Sequence, residues 1–71
     1  MTFSETLNQY LRELNATRSA LAQASGVSAS ALSRYCAGER EPEYNGVQME
    51  KLAAGIAVLE YLSRAMDIRL F

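Results

Sequence analysis

Two glycines and two hydroxyl residues divide the middle of the chain into a pair of very short helices. Thr17 and Ser28 are each suited to cap the first turn of a helix, and Gly26 and Gly38 are suited to the left-handed conformation that ends one. These signals predict one helix from about residue 18 to 24 or 25 and another from about 29 to 37. Gly26 permits the sharp turn between them, so the two short helices meet across three or four residues.

Helices are predicted on both sides of this pair. Thr2 and Glu5 form a capping box that starts a first helix over about residues 3–14, and Asn15 is suited to the left-handed residue after it. Its apolar positions recur at helical spacing and predict one buried face: Phe3, Leu7, Tyr10, Leu11 and Leu14.

After an ordered loop over residues 39–46, helical spacing returns from Met49 and predicts a long fourth helix over about residues 47–65. The tail, residues 67–71, fits either a short strand or a last helical turn. The predicted fold is therefore all-α, a compact bundle of four to five short helices.

The hydrophobic share of the chain is large for its length. A chain of 71 residues with 49% hydrophobic residues is one domain, and such a chain buries only about 60% of the surface that its unfolded form exposes. The apolar stripe of the fourth helix is too wide for one small core, so we expect a homodimer formed through residues 58–71. The predicted interface consists of Val58, Tyr61, Leu62, Ala65, Met66, Ile68 and Leu70.

Several classes of protein are disfavoured by what the sequence lacks. The chain has one cysteine, Cys36, and no histidine, so we expect no internal disulfide, no metal site, no cofactor and no catalytic base for that thiol. Cys36 is predicted to be a small buried hydrophobe. No run of residues suggests a membrane span or a signal peptide. The expectation is a cytoplasmic protein that is not an enzyme and has no evident small-molecule ligand.

The third helix has an unusual outer face. At about 100° per residue, one arc of about 140° holds only small residues and one arginine, and the remaining residues fill the opposite arc, which is predicted to be buried. The first arc holds Ala29, Ser30, Ser33, Arg34 and Ala37, and the opposite arc holds Ser28, Ala31, Leu32, Tyr35 and Cys36. A helix enters the major groove of DNA, about 12 Å wide, only when its outer face lacks bulk, and arginine is the side chain that most often reads guanine.

The segment that contains this helix also resembles a known family. The run TRSALAQASGVSASALSRYCAGEREP is similar to the helix-turn-helix of the phage repressor and Cro-like family, also called XRE-type. The matching positions are Thr17, Leu21, Ala22, Gly26, Val27, Ser28, Leu32, Ser33, Gly38 and Pro42, and the resemblance covers roughly residues 5–60. It implies a lambda-repressor-like fold and a sequence-specific regulator of transcription that binds double-stranded DNA as a homodimer on an inverted repeat.

The resemblance also implies roles for individual residues. The base-facing positions would be Ala29, Ser30, Ser33 and Arg34, while the second helix crosses the backbone. The phosphate contacts would come from Thr17, Arg18, Ser28, Arg40, Tyr44 and Asn45. Where the family often has an arginine on the first helix paired with a glutamate on the third, this chain has Leu11 and Cys36, which predicts an apolar contact instead of an ion pair.

Charge leaves a second function open. The net charge is −1, but residues 17–42 carry three arginines against two glutamates and are the one positive third of the chain. The alternative is a protein-interaction module, similar to an antitoxin or a phage-encoded antagonist, that uses the same fold without binding DNA. The acidic isoelectric point of about 5.3 and the apolar C-terminal residues favour this alternative.

Overall fold

A computed structural model describes the backbone of residues 2–69 and the side chains of residues 2–65. Four helices follow one another: α1 (Phe3–Glu13), α2 (Arg18–Ser25), α3 (Ala29–Ala37) and α4 (Val47–Arg69). The predicted all-α fold is confirmed, with no strand among residues 2–69. The fourth helix is longer than predicted, because no glycine or proline interrupts the chain after Gly55. Of the tail, residues 67–69 continue α4, and residues 70–71 lie outside the described part.

The predicted capping residues set the starts of the first three helices. The Thr2 hydroxyl accepts from the backbone amide of Glu5 at 3.2 Å and donates to the Glu5 carboxylate at 3.1 Å. The Thr17 hydroxyl accepts from the Ala20 amide at 3.0 Å, and the Ser28 hydroxyl accepts from the Ala31 amide at 3.2 Å. Each bond satisfies an amide that has no partner within its own helix.

The turn between α2 and α3 depends on the backbone of one glycine. Gly26 has φ +77°, and a Cβ built there would meet no atom within 4 Å. The residue is therefore required for its left-handed conformation and not for lack of space. The buried Ser25 hydroxyl accepts from the Val27 amide at 3.2 Å, which fixes the turn on its other side. The left-handed residues predicted after α1 and α3 are also confirmed, with φ +52° at Asn15 and +79° at Gly38.

The core lies where all four helices meet. Its buried members are Leu7, Leu11, Leu21, Val27, Leu32, Tyr35, Cys36 and Leu52. The rings of Phe3 and Tyr35 meet edge to face with their centroids 6.2 Å apart, and the Tyr35 hydroxyl accepts from the Gln48 amide at 3.4 Å. The buried state predicted for Cys36 and Tyr35 is confirmed.

The prediction that Tyr10 belongs to the core is wrong, since its side chain is 40% exposed. Tyr10 lies on the side of α1 that faces α4, where the two helices leave an open apolar groove of about 300 Å³ between them. Helical spacing gives the direction of a side chain, but the distance to the opposite helix decides whether that side chain is covered.

A close approach at Gly55 joins α4 to the end of α2. A Cβ built on Gly55 would lie 2.6 Å from the Cβ of Ser25 and 2.9 Å from both its Cα and its N. The contact brings the middle of the long helix against the residue before the turn. Because α2 and α3 also pack against each other, the position of α3 depends on this contact between Gly55 and Ser25.

Candidate nucleic-acid interface

The outer face of α3 is open to solvent along its whole length. All five residues of the small arc are exposed: Ala29, Ser30, Ser33, Arg34 and Ala37. The first four of them are the predicted base contacts. On the opposite side, Leu32, Tyr35 and Cys36 are buried and Ala31 is half-buried. The predicted division of the helix into two faces is confirmed for these residues. Ser28 is the exception, because it caps the helix and is itself exposed.

The end of α3 is fixed to α1 by a side chain that sequence reasoning did not identify. The Asn8 amide donates to the backbone carbonyl of Cys36 at 2.9 Å. This carbonyl lies in the last turn of α3, where no later residue of the helix can bond it. Leu11 and Cys36, which stand where the family often has an ion pair, are both buried members of the core. Together these contacts hold α3 so that its outer face stays uncovered.

The first turns of α2 and α3 differ in charge from the first turns of α1 and α4. The first turns of α2 and α3 contain no acidic residue, whereas α1 and α4 have Glu5 and Glu50 there. A helix N-terminus carries the equivalent of about half a positive charge, which an acidic residue in the first turn would offset. The predicted phosphate contacts Thr17, Arg18 and Ser28 are exposed at these two uncompensated ends.

Arg18 also has an electrostatic effect on α3. Burial raises the pKa of the Cys36 thiol above its ordinary value, and the nearby Arg18 guanidinium partly opposes this by lowering it. The positive charge of Arg18 thus favours the thiolate form of Cys36, but the effect of burial is larger. A buried thiol whose pKa is raised is a poor nucleophile at neutral pH, which agrees with a packing role for Cys36.

The loop after α3 places the other three predicted phosphate contacts. Arg40, Tyr44 and Asn45 are exposed, and Tyr44 retains 85% of its accessible surface. Arg40 lines a shallow cleft with the start of α1, and Glu39 and Glu41 line the same cleft. Tyr44 and Asn45 do not line it. The structure thus places Arg40 beside acidic neighbours in this cleft.

The predicted dimer stripe lies uncovered on α4. Val58, Tyr61 and Leu62 are 45%, 72% and 50% exposed, and Ala65 is half-buried. The other three residues of the stripe cannot be described in this way: the side chains of Met66 and Ile68, and Leu70 as a whole, lie outside the described part of the chain. A run of apolar side chains at this exposure is unusual on a small monomer and fits an interaction surface. No helix among residues 2–69 has the length and apolar character needed to span a membrane.

A comparison with protein families decides the class. The family model described as the helix-turn-helix domain matches residues 2–65. The chain belongs to this family. The match includes α1, both short helices and most of α4, and it is consistent with the phage repressor and Cro-like resemblance. Comparisons with curated proteins and with solved structures each gave no match. Membership in the helix-turn-helix family points to a DNA-binding regulator, and α2 and α3 are the two helices of the motif.

Proposed function

We propose that this helix-turn-helix protein is a sequence-specific regulator of transcription, of repressor or Cro type, that places α3 in the major groove of DNA. The observation that carries the proposal is the outer face of α3, where only small residues and Arg34 are exposed. A covering helix of a small domain normally carries long polar side chains on its solvent face. A face without them can approach base edges closely, since its serines donate or accept and its alanines contact thymine methyl groups.

Arg34 is the proposed determinant of sequence. Its guanidinium offers two donors in the geometry that matches O6 and N7 of guanine. Ala29, Ser30 and Ser33 lie beside it on the same exposed face and would read the neighbouring base pairs. We assign one guanine in each half-site to Arg34.

Phosphate contacts would hold α3 in register. Thr17, Arg18 and Ser28 stand at the two helix starts that lack an acidic residue, where free amides and the helix dipole favour an anion. Arg40, Tyr44 and Asn45 would contact neighbouring phosphates from the loop. We expect the contribution of Arg40 to be smaller, because Glu39 and Glu41 border the same cleft.

The proposed active form is a homodimer. Exposed Val58, Tyr61 and Leu62 supply the apolar surface that a partner would cover, and Ala65, Met66, Ile68 and Leu70 would complete it. A symmetric pair would set the two copies of α3 about 34 Å apart, one turn of duplex, and would select an inverted repeat.

Selection of bound sequences from a random duplex pool tests this function. We expect an enriched inverted repeat whose half-sites are separated by about one helical turn, each with one guanine that depends on Arg34. Arg34→Ala should lose preference at that base pair, at a cost of about 1–3 kcal/mol per half-site, while binding to random DNA weakens much less. Lys51→Ala is the matched control, since Lys51 is an exposed cation on α4 outside residues 58–71.

Two results would reject the proposal. Equal losses on selected and random DNA for Arg34→Ala would remove that residue from base recognition. Failure to bind any duplex at low salt, together with a protein partner retained on residues 58–65, would instead support the protein-interaction module.

A further inference from the structure

The structure contains a polar cleft that extends the proposed DNA surface onto α1. It has a volume of about 540 Å³ and lies where the end of α1 meets the start of α2. Its lining residues in the described part of the chain are Asn8, Leu11, Arg12, Asn15, Ala16, Thr17 and Arg18. None of these seven residues is acidic. The cleft therefore joins two arginines from different helices with two side-chain amides and one hydroxyl.

We infer that this cleft binds a backbone phosphate of DNA and that Arg12 is a phosphate contact in addition to those of the helix-turn-helix. The inference rests on the proposed function, because the phosphate belongs to the same duplex that α3 would read. Arg12 is not part of the matched motif, which begins at Thr17, and no sequence signal distinguished it from an ordinary surface charge.

The placement of side chains along α1 supports the assignment. Asn8 bonds the carbonyl of Cys36 at the end of α3, and Arg12 follows one turn later, toward the start of α2. Arg18 lines the same cleft from α2. The cleft floor includes Leu11, which is only 7% exposed. The two arginines therefore border one cleft whose base is formed by a core residue.

Electrostatics explains why the occupant should be an anion. Arg12 and Arg18 both line this cleft, and its lining holds no carboxylate, so the two positive charges favour an anion there. Arginine forms charge-assisted hydrogen bonds to phosphate through two donors at once, and the Asn8 and Asn15 amides and the Thr17 hydroxyl are further donors. The occupant that fits this set is a phosphate group with its oxygens exposed, as in a phosphodiester.

Arg12 also has a possible structural role that the test must separate. It lies in the last turn of α1, where a cation stabilises the negative end of the helix dipole. That role would affect the stability of the free protein. It would leave the dependence of DNA binding on salt unchanged.

The decisive measurement is the affinity for a random-sequence 30-base-pair duplex between 25 and 200 mM NaCl, followed by fluorescence anisotropy. Each phosphate contact adds about 0.9 to the slope of log affinity against log salt. Arg12→Ala should therefore lower the slope by about 0.9 per protomer, so that its affinity loss is about six-fold larger at 25 mM than at 200 mM. Arg12→Lys should keep the slope. Lys51→Ala, which removes an exposed cation of α4 that lies outside residues 58–71 and does not line this cleft, should also keep it.

The outcomes separate this inference from the function on which it rests. If the wild type binds and Arg12→Ala keeps the full slope, the inference is overturned and the proposed function stands. If the wild type binds no duplex, both fall. A titration with inorganic phosphate, followed by the NMR signals of the Asn8 and Asn15 side-chain amides, distinguishes a free anion from DNA. Binding of phosphate to the wild type without any change of slope in Arg12→Ala would overturn the assignment to the duplex.

Discussion

Replacement of Gly55 by alanine tests the close contact between α4 and the end of α2. The new Cβ would lie 2.6, 2.9 and 2.9 Å from the Cβ, Cα and N of Ser25, whereas carbon atoms in contact normally lie about 3.5–4.0 Å apart. Two of these three atoms belong to the backbone and cannot turn away by a change of rotamer. The two helices must therefore separate by several tenths of an ångström or more, and the core between them would be strained.

Two opposing effects decide the size of the change. Alanine is better than glycine inside a helix by about 1 kcal/mol, so Gly55→Ala would stabilise the protein if there were space. Overpacking a close interface typically costs about 1–3 kcal/mol. We expect the upper end of that range, because the obstruction is mostly backbone. The net loss is then about 2 kcal/mol, and the Tm should fall by about 8–16 °C for a domain of this size.

Thermal and urea unfolding, each followed by circular dichroism, measure this effect. Ala54→Gly is the control: Ala54 is exposed in the same helix, and its replacement should cost only the propensity difference of about 1 kcal/mol. Ser25→Gly removes the closest of the three atoms but also the hydroxyl that bonds the Val27 amide. Gly55→Ala should therefore cost less stability in the Ser25→Gly background than in the wild type. A Gly55→Ala protein as stable as the wild type, or more stable, would refute the claim that space at this contact requires glycine.

Three further results are expected. Asn8→Ala removes the 2.9 Å hydrogen bond to the Cys36 carbonyl and should lower the free energy of unfolding by about 1 kcal/mol in urea titrations. An unchanged urea midpoint would show that water replaces this hydrogen bond fully. Burial raises the pKa of the Cys36 thiol above 9.0, so the folded state keeps its proton after the unfolded chain has lost it. Stability should therefore fall as the pH rises above about 9 until it reaches the folded-state pKa, and comparison of urea midpoints at pH 8 and 10.5 should show a smaller fall in Cys36→Ala. Tyr61→Glu places a charge in the proposed dimer surface and should shift the sedimentation coefficient toward that of the monomer. The Tm of the monomer should not fall. An unchanged association constant would show that Tyr61 is not part of that surface.

Local signals allowed most of the fold to be predicted. Thr2, Thr17 and Ser28 cap the helices they were expected to cap, because a hydroxyl and an amide three residues apart are brought together by the chain itself. The same holds for Asn15 and Gly38, whose left-handed backbone follows from residue type at a helix end. Helix boundaries were therefore predictable to within a residue or so in the first half of the chain.

Features that depend on the distance between helices were not predictable in this way. Gly55 resembles any glycine that lowers helix propensity until the end of α2 is placed against it. Asn8 resembles a polar surface residue until the end of α3 comes within 2.9 Å of it. The prediction that Tyr10 is buried was also wrong. Its side chain points toward α4 as expected, but the groove between α1 and α4 stays open. In the candidate interface, the exposed face of α3 could be predicted from the sequence, whereas the cleft between α1 and α2 and the role of Arg12 could not.

The distribution of charge has a consequence for the form that would bind DNA. If Arg12, Arg18 and Arg40 each neutralise one phosphate, the slope of log affinity against log salt is about −2.7 for one protomer and about −5.4 for two. Between 50 and 200 mM salt these slopes correspond to losses of about 40-fold and about 2,000-fold. A chain with net charge −1 has little additional attraction to offer, so a single protomer should bind weakly at physiological salt. Tight binding would then require that two protomers bind one duplex together. DNA binding by α3 would therefore depend on dimerisation through the exposed apolar stripe of α4. A slope near −2.7 on a selected inverted repeat, at protein concentrations where the dimer predominates, would contradict this coupling.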